Sequence, residues 1–330
     1  MSGEFYNGVP VLVTGGLGFI GGNLVVRLAQ AGALVTVVDP AIPGCGANPF
    51  NLEPVRDGIR LISQDIGDAA QFRDALAEAR VVFNLAGEIS HINSMQAPER
   101  DLRMNTLAQL RFLLELKSAR RGVRVVYAST RQLYGIPDYL PVDERHPIRP
   151  IDFNGIHKAA GCMYHMMLSR TGDLDAVMLR LTNVYGPRMA LNLPAQGFLG
   201  SFLRRALTGQ PLEVFGDGQQ MRDPVYVDDV VDAFLMAGER PALPSRTYNV
   251  GGPASLSLRE IAATTARVAG GLELIHRPFP AAIKPIDIGS YETDSSLIAR
   301  ELGWRSHVTF AEGVERTLAY YRPVLGNYLP

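Results

Sequence analysis

The stretch TGGLGFIG, residues 14–21, follows the apolar run VPVLVTGG (9–16) and opens the helix-like segment GGNLVVRLAQAG (21–32). A strand, a glycine turn and a helix in direct succession admit few folds. Gly15 permits the tight turn, Gly18 lets backbone approach a pyrophosphate, and Gly21 lets helix lie on strand. Phe19 and Ile20 sit inside the same turn. Asp39 ends the next apolar run, ALVTVVDP (33–40), 18 residues past Gly21. A carboxylate there accepts hydrogen bonds from an adenosine ribose and repels a 2′-phosphate, which favours NAD over NADP. Asp65 and Ile66, closing a third run, GIRLISQDI (58–66), suit the adenine edge.

The pattern then repeats. ARVVFNLAG (79–87), VRVVYAST (123–130) and DAVMLRLTNVYGP (175–187) read as further strands, with helices around 99–119 and 153–170 between them. Continuous apolar strands separated by helices predict a parallel sheet covered on both faces, an α/β doubly wound fold. After Pro187 the texture changes to more Gly and Pro and shorter elements, with a helix around 197–208. This predicts an NAD-binding domain over 1–185 and a smaller α/β substrate domain over 186–330. VYVDDVVDAFLMA (225–237) is expected to return to the first domain, so that part of 223–250 packs back on it. Ligands in such sheets bind outside the carboxyl ends of the strands.

Composition narrows the class further. The chain has 330 residues, 20% of them charged, and a formal net charge of −1, so nucleic acid is an unexpected partner. Cys45 and Cys162 are the only cysteines and stand in no metal or disulfide spacing, which suits a reducing compartment. No apolar run reaches the ~18 residues of a membrane span, and no basic-then-apolar leader is seen. A soluble cytoplasmic protein is expected.

TGGLGFIG with Asp39, NLAG (84–87), YASTRQLYG (127–135), Lys158 and RLTNVYGPRM (180–189) together resemble an extended short-chain dehydrogenase/reductase. More narrowly, the chain is similar to the nucleotide-sugar epimerases, dehydratases and UDP-glucuronate decarboxylases. VFGDGQQMRDPVYVDDVVDAF (214–234) and YNVGG (248–252) extend the resemblance over nearly the whole chain. It implies a Rossmann-type domain with a tightly bound NAD that oxidises a sugar carbon, usually C4, and later returns the hydride. The cofactor residues implied are Gly15, Gly18, Phe19, Ile20, Gly21, Asp39, Asp65, Ile66, Leu85, Ala86, Gly87, Asn105 and Lys158. Asn105 falls where the family has Asn before a Gly-Thr pair, which Ala108-Gln109 replaces here.

The family shares catalysis among a Ser or Thr, a Tyr and a Lys. Counting back four from Tyr134 picks out Thr130, whose hydroxyl would bond the sugar hydroxyl being oxidised. Lys158 would bind the nicotinamide ribose and lower the pKa of a neighbouring phenol. That phenol is missing. Asn154 stands one helical turn before Lys158, on the same face, and an amide does not exchange protons usefully near neutrality. His91, in SHINSM, and Glu88 are the candidate replacement bases, and restoring the phenol by Asn154→Tyr is expected to speed hydride transfer.

Dehydratases of the family carry Asp-Glu after the threonine; here the pair is Arg131-Gln132, so dehydration is disfavoured. Arg131 is also a candidate for a sugar carboxylate. The resemblance assigns Ser94, Arg131, Gln132, Asn183, Phe215, Arg222 and Asp294 to a nucleoside-diphosphate sugar, with Asn183 and Arg222 on its phosphates and Phe215 at the base. For Asp294 the favoured reading is a cap on the helix that follows it. The expected activity is 4-epimerisation of a UDP-sugar. Decarboxylation of UDP-glucuronate, release of a ketosugar, and a redox-inert binding protein are the alternatives. Helices around 102–116 and 155–170 form a dimer interface in the family, which implies a homodimer.

Overall fold

In the computed structural model, which describes residues 2–193, 197–280 and 284–329, seven strands form one parallel sheet. They are β1 (Pro10–Thr14), β2 (Leu34–Val38), β3 (Arg60–Ile62), β4 (Val81–Asn84), β5 (Arg124–Thr130), β6 (Asp175–Leu181) and an edge strand, Thr247–Val250. Their spatial order is edge strand, β6, β5, β4, β1, β2, β3. The order reverses between β1 and β4, so the crevice of the doubly wound fold opens there.

The strands are apolar on both faces because both are covered. On one face Val11, Val13, Val37 and Phe83 meet Leu24, Val25 and Leu28 of the helix Phe19–Gln30, and Val230, Val231 and Phe234 of the helix Val227–Glu239. On the other, Leu12, Val82, Val125 and Tyr127 meet Phe112, Leu116, Cys162 and Leu168. Neighbours along each strand thus alternate faces, as pleating requires. The returning segment joins the first face, where an Arg27–Asp232 ion pair at 2.7 Å ties its helix to Phe19–Gln30. Ile298, Leu302 and Trp304 enter the same core. A separate cluster, including Leu199, Phe202, Val214, Ile261 and Leu318, packs the segments above the strand ends. Among the described residues, no helix is long and apolar enough to cross a membrane.

The helix Phe153–Arg170 has the bounds that the sequence suggests. Asp152 caps it, accepting from Gly155 N at 2.6 Å. The helix expected over 99–119 is present, with a π turn inside it. Pro98–Leu102 passes through a π turn, Arg103–Leu107, before Ala108–Ala119 resumes. Such turns re-aim side chains near functional sites, and this one turns the buried Asn105 amide onto Glu88 O at 3.0 Å. β3 is shorter than the run 58–66, because the Asp65 carboxylate accepts from Gly67 N at 2.6 Å and starts a turn.

His165 is buried beneath this sheet, stacked on Tyr127 with centroids 4.1 Å apart. Its Nδ1–H donates to Gly161 O at 2.8 Å, leaving Nε2 to accept from Asn84 Nδ2 at 3.2 Å. The ring is therefore neutral, and burial pushes its pKa down from 6.5 to about 4. The unfolded imidazole takes up a proton first as pH falls. Stability from this group is therefore full above about pH 6.5 and is lost progressively toward pH 4, by at most about 3 kcal/mol. In urea titrations across that window the wild type should lose stability more steeply than His165→Phe; parallel curves would remove His165 as the source.

Candidate functional site

The glycine turn is built by exclusion. Gly15 has φ +71, and a Cβ there would lie 2.9 Å from Ala86 N. A Cβ at Gly21 would lie 2.2 Å from Gly15 O. Either methyl would push β1, its helix and the loop after β4 apart. Gly18 is the cap residue of Phe19–Gln30 and offers no side chain to the first-turn N–H groups. Those donors and the positive end of the helix face a cleft of about 720 Å³.

Gly15, Gly18, Phe19, Ile20, Gly21, Asp39, Asp65, Ile66, Leu85, Ala86 and Gly87 all line that cleft. Asp39 is braced by Leu17 N at 3.0 Å and Ala41 N at 2.8 Å. Burial raises its pKa above the ordinary carboxylate range, which those two donors oppose. A side-chain-free phosphate turn with a braced carboxylate 18 residues beyond Gly21 fits the pyrophosphate and ribose of a dinucleotide lacking a 2′-phosphate.

Thr130, Asn154 and Lys158 line the same cleft past Gly87. Thr130 Oγ1 accepts from Gln132 N at 3.1 Å, so its own hydrogen is free to donate. Lys158 is buried at 6% exposure. Desolvation lowers its pKa, against the pull of Asp101, Cys162 and Glu88 in the other direction. A Cβ at Gly87 would stand 2.5 Å from Asn105 Oδ1 and 2.6 Å from Lys158 Nζ, so glycine is required for the lysine to lie there. Asn105 itself lies behind the cleft, outside its lining.

Asn154 is tied on its donor side. Its Nδ2 donates to Glu88 O and to Asp101 Oδ2, both at 3.0 Å. The other Asp101 oxygen lies 2.7 Å from His157 Nδ1. Both amide hydrogens are therefore spent on buried acceptors, and only Oδ1 remains to face a ligand. Asp101, at the heart of this network, carries no signal in the sequence.

Three further expectations are corrected. Glu88 does not face the cleft: Oε1 accepts from Ile89 N at 3.0 Å and Ser90 N at 3.2 Å, while Oε2 turns to Cys45 and Arg100. Ser94 is fully buried, and its hydroxyl donates to His91 O at 2.7 Å and accepts from Asn154 N at 3.2 Å. It braces a helix end and has no group to spare for a substrate. Asp294 accepts from Ser296 N at 2.7 Å, a local cap outside the cleft lining.

His91 does line the cleft. Its Nδ1 lies 3.0 Å from Asp152 Oδ2, an ion-pair distance off the line of a hydrogen bond. Burial raises the Asp152 pKa, but His91, Gly155 N–H and Gln132 together hold it below the usual range. Gln132 Nε2 donates to the same carboxylate at 3.1 Å. Gln109, in place of the family's small hydroxyl residue, donates to Ala86 O at 2.8 Å and accepts from Asn84 Nδ2 at 2.7 Å. It clamps the cofactor loop to the helix.

Arg131, Asn183, Phe215 and Arg222 line the far end, beneath the cluster above the strands. Arg131 donates to Asn183 Oδ1 at 3.3 Å. Arg222 is fastened to Met221 O at 2.8 Å and Gly289 O at 2.6 Å.

A doubly wound sheet with this turn, a braced acidic residue and a Thr–Lys pair at the strand ends defines an NAD-binding α/β enzyme. The chain belongs to the NAD dependent epimerase/dehydratase family, whose model matches residues 11–251. It is 35% identical over 315 residues to UDP-glucose 4-epimerase of Mycolicibacterium smegmatis, which spans 94% of this chain and 98% of that protein. The crystal structure of UDP-glucose 4-epimerase with UDP-glucose from Thermotoga maritima is similar at TM-score 0.86 and 30% identity, covering 96% of this chain and 99% of the other. MoeE5, solved with UDP-glucuronic acid and NAD, is similar at TM-score 0.81 and 29% identity, covering 95% and 99%.

The Asn154 network reverses one expectation. Asn154→Tyr strands Asp101 Oδ2, at a cost of about 1–3 kcal/mol for an unpaired buried acceptor. The variant should unfold at lower urea concentration and turn over no faster than the wild type. Wild-type stability would show that Asp101 does not depend on the amide.

Proposed function

We propose that the protein is an NAD-dependent 4-epimerase of a nucleoside-diphosphate sugar, a UDP-sugar, whose proton carrier is His91 rather than a tyrosine. The observation that carries this reading is the shared cleft of Thr130, Lys158 and His91, with no acid–base pair beside them for elimination. Gln132, standing where dehydratases have a carboxylate, is spent on Asp152.

Bound NAD supplies reversible oxidation at the sugar's C4. The residues do the rest. Thr130, its acceptor side engaged by Gln132 N, donates to the C4 oxygen. Asn154 Oδ1 accepts from a neighbouring sugar hydroxyl. His91 takes the C4 hydroxyl proton and returns it to the inverted alkoxide, with Asp152 beside Nδ1 stabilising the charged ring. Lys158 holds the nicotinamide ribose. His157 is occupied by Asp101 and lies outside the cleft lining, and Glu88 faces away. Arg222 and Asn183 take the diphosphate, with Phe215 at the base, in a substrate unit built from those segments of 186–330 that pack in the cluster above the strand ends. In cells the protein is expected in the cytoplasm as a homodimer. Met163, Met166, Met167 and Ile156 are exposed along one helix, with Leu107 and Leu114 on its neighbour, an apolar face suited to self-association.

Proton NMR of the purified protein with UDP-hexoses should show interconversion of C4 epimers without accumulation of reduced nicotinamide. Net reduction, or no conversion of any UDP-sugar, overturns the reading. His91→Gln should lower kcat by about 10²–10⁴, the usual worth of a general acid–base group. An unimpaired His91→Gln enzyme would move the proton route elsewhere.

A further inference from the structure

The cleft holds a cation that the fold itself leaves unanswered. Arg131 NH1 is buried and has no acceptor among the described residues. NH2 makes one long bond, to Asn183 Oδ1 at 3.3 Å, and the guanidinium lies 4.8 Å over the Tyr291 ring. No carboxylate among the described residues comes within ion-pair distance of it. The nearest acidic groups are engaged: Asp223 accepts from Thr182 Oγ1 at 2.6 Å and Thr293 N at 3.2 Å, and Asp287 from Gln220 Nε2 at 2.7 Å. Arg222, by contrast, gives NH1 to two backbone carbonyls and NH2 to Gln220 Oε1 at 3.2 Å. Arg131 is thus the guanidinium with donors to spare.

We propose that Arg131 binds a carboxylate on C6 of the sugar, so that the preferred substrate is a nucleoside-diphosphate hexuronate. The assignment rests on the sugar-nucleotide reading above. Arg131 directly follows Thr130 in the chain, and its guanidinium reaches toward Asn183 after β6. The side chain therefore connects the Thr130 end of the cleft with the residues assigned to the diphosphate, within reach of a sugar held between them. A hydroxymethyl group there offers one neutral oxygen. A carboxylate offers two coplanar oxygens and the missing charge, which is the fit of a planar guanidinium fork.

The pairing also bears on the outcome. A hexuronate oxidised at C4 is a β-keto acid: breaking C5–C6 releases CO₂ and leaves the electron pair on the C4–C5 enolate. That path discharges the carboxylate, which a guanidinium ion pair resists. Six carbons are retained, and the product is the C4-epimeric hexuronate.

The test is calorimetric titration of the NAD-loaded protein with UDP, UDP-glucose and UDP-glucuronate, in wild type, Arg131→Gln and Arg131→Lys. The wild type should bind UDP-glucuronate at least about tenfold more tightly than UDP-glucose, and Arg131→Gln should collapse that ratio to about one, with partial recovery in Arg131→Lys. A wild-type ratio near one overturns the assignment without any variant. An equal loss for all three ligands in Arg131→Gln puts the residue on the diphosphate and also overturns it. If the preference is present but no UDP-sugar is epimerised, the carboxylate site stands and the epimerase reading falls. UDP-glucose epimerised with no preference for the acid gives the reverse.

Discussion

The structure depends on a contact that leaves no room for a Cβ. Gly15 presses on the backbone of Leu85 and Ala86, and Gly21 presses on Gly15. These approaches hold β1, its following helix and the loop after β4 at one point, where the strand order of the sheet reverses. The N–H donors of the helix's first turn on one side and the loop Leu85–Gly87 on the other are therefore positioned by the same packing. The clamp by Gln109, which ties Asn84 to Ala86, fixes the second side of that junction.

A second layer of order follows from the same loop. Glu88 O receives two amide donors, from Asn105 and from Asn154, each at 3.0 Å. Asn105 reaches it from within the π turn. Asn154 reaches it from the first turn of Phe153–Arg170 and continues to Asp101. Asn154, which the sequence places where the resemblance expects a phenol, is thus a strut joining three elements. The exchange is chemically consistent. A group whose two hydrogens are committed to buried acceptors is poorly placed to move a proton, which is why the proposed route runs through the imidazole beside Asp152.

Much of this was legible in the sequence, and the limits have physical causes. Gly15, Gly18 and Gly21 between a strand and a helix announce a backbone geometry, and at Gly15 and Gly21 the contacts leave no room for a side chain. Asn154 and Lys158 share a helix face by spacing alone, and both line the cleft. The buried parallel strands follow from unbroken apolar runs. What escaped was set by side-chain direction and tertiary partners. Glu88 could point into the cleft or back onto its own loop N–H groups, and nothing local decides between them. Ser94 looked available until Asn154 N and His91 O claimed its hydroxyl. Asp101 lies 53 residues from Asn154, so no periodicity links them. The π turn interrupts a stretch whose apolar spacing reads as one helix.

The cleft is also divided by charge in a way that constrains its occupants. Asp39 and Asp65 stand at the end beneath β2 and β3, Lys158 lies midway, and Arg131 and Arg222 stand at the far end. A dinucleotide lying along the first half satisfies the acidic residues through ribose hydroxyls and places its phosphates on the helix N-terminus. It brings no negative charge to the far end. Two guanidinium groups held in a partly desolvated space repel each other; Arg222 has Asp287 at 3.9 Å, whereas Arg131 has no carboxylate at ion-pair distance among the described residues. Buried charge without a partner is unfavourable, so this half of the cleft favours a second, anionic ligand over water or a neutral one. On the proposed reading, the order of charges gives the second ligand its polarity: anionic groups toward Arg131 and Arg222, and an uncharged carbinol toward Thr130 and His91.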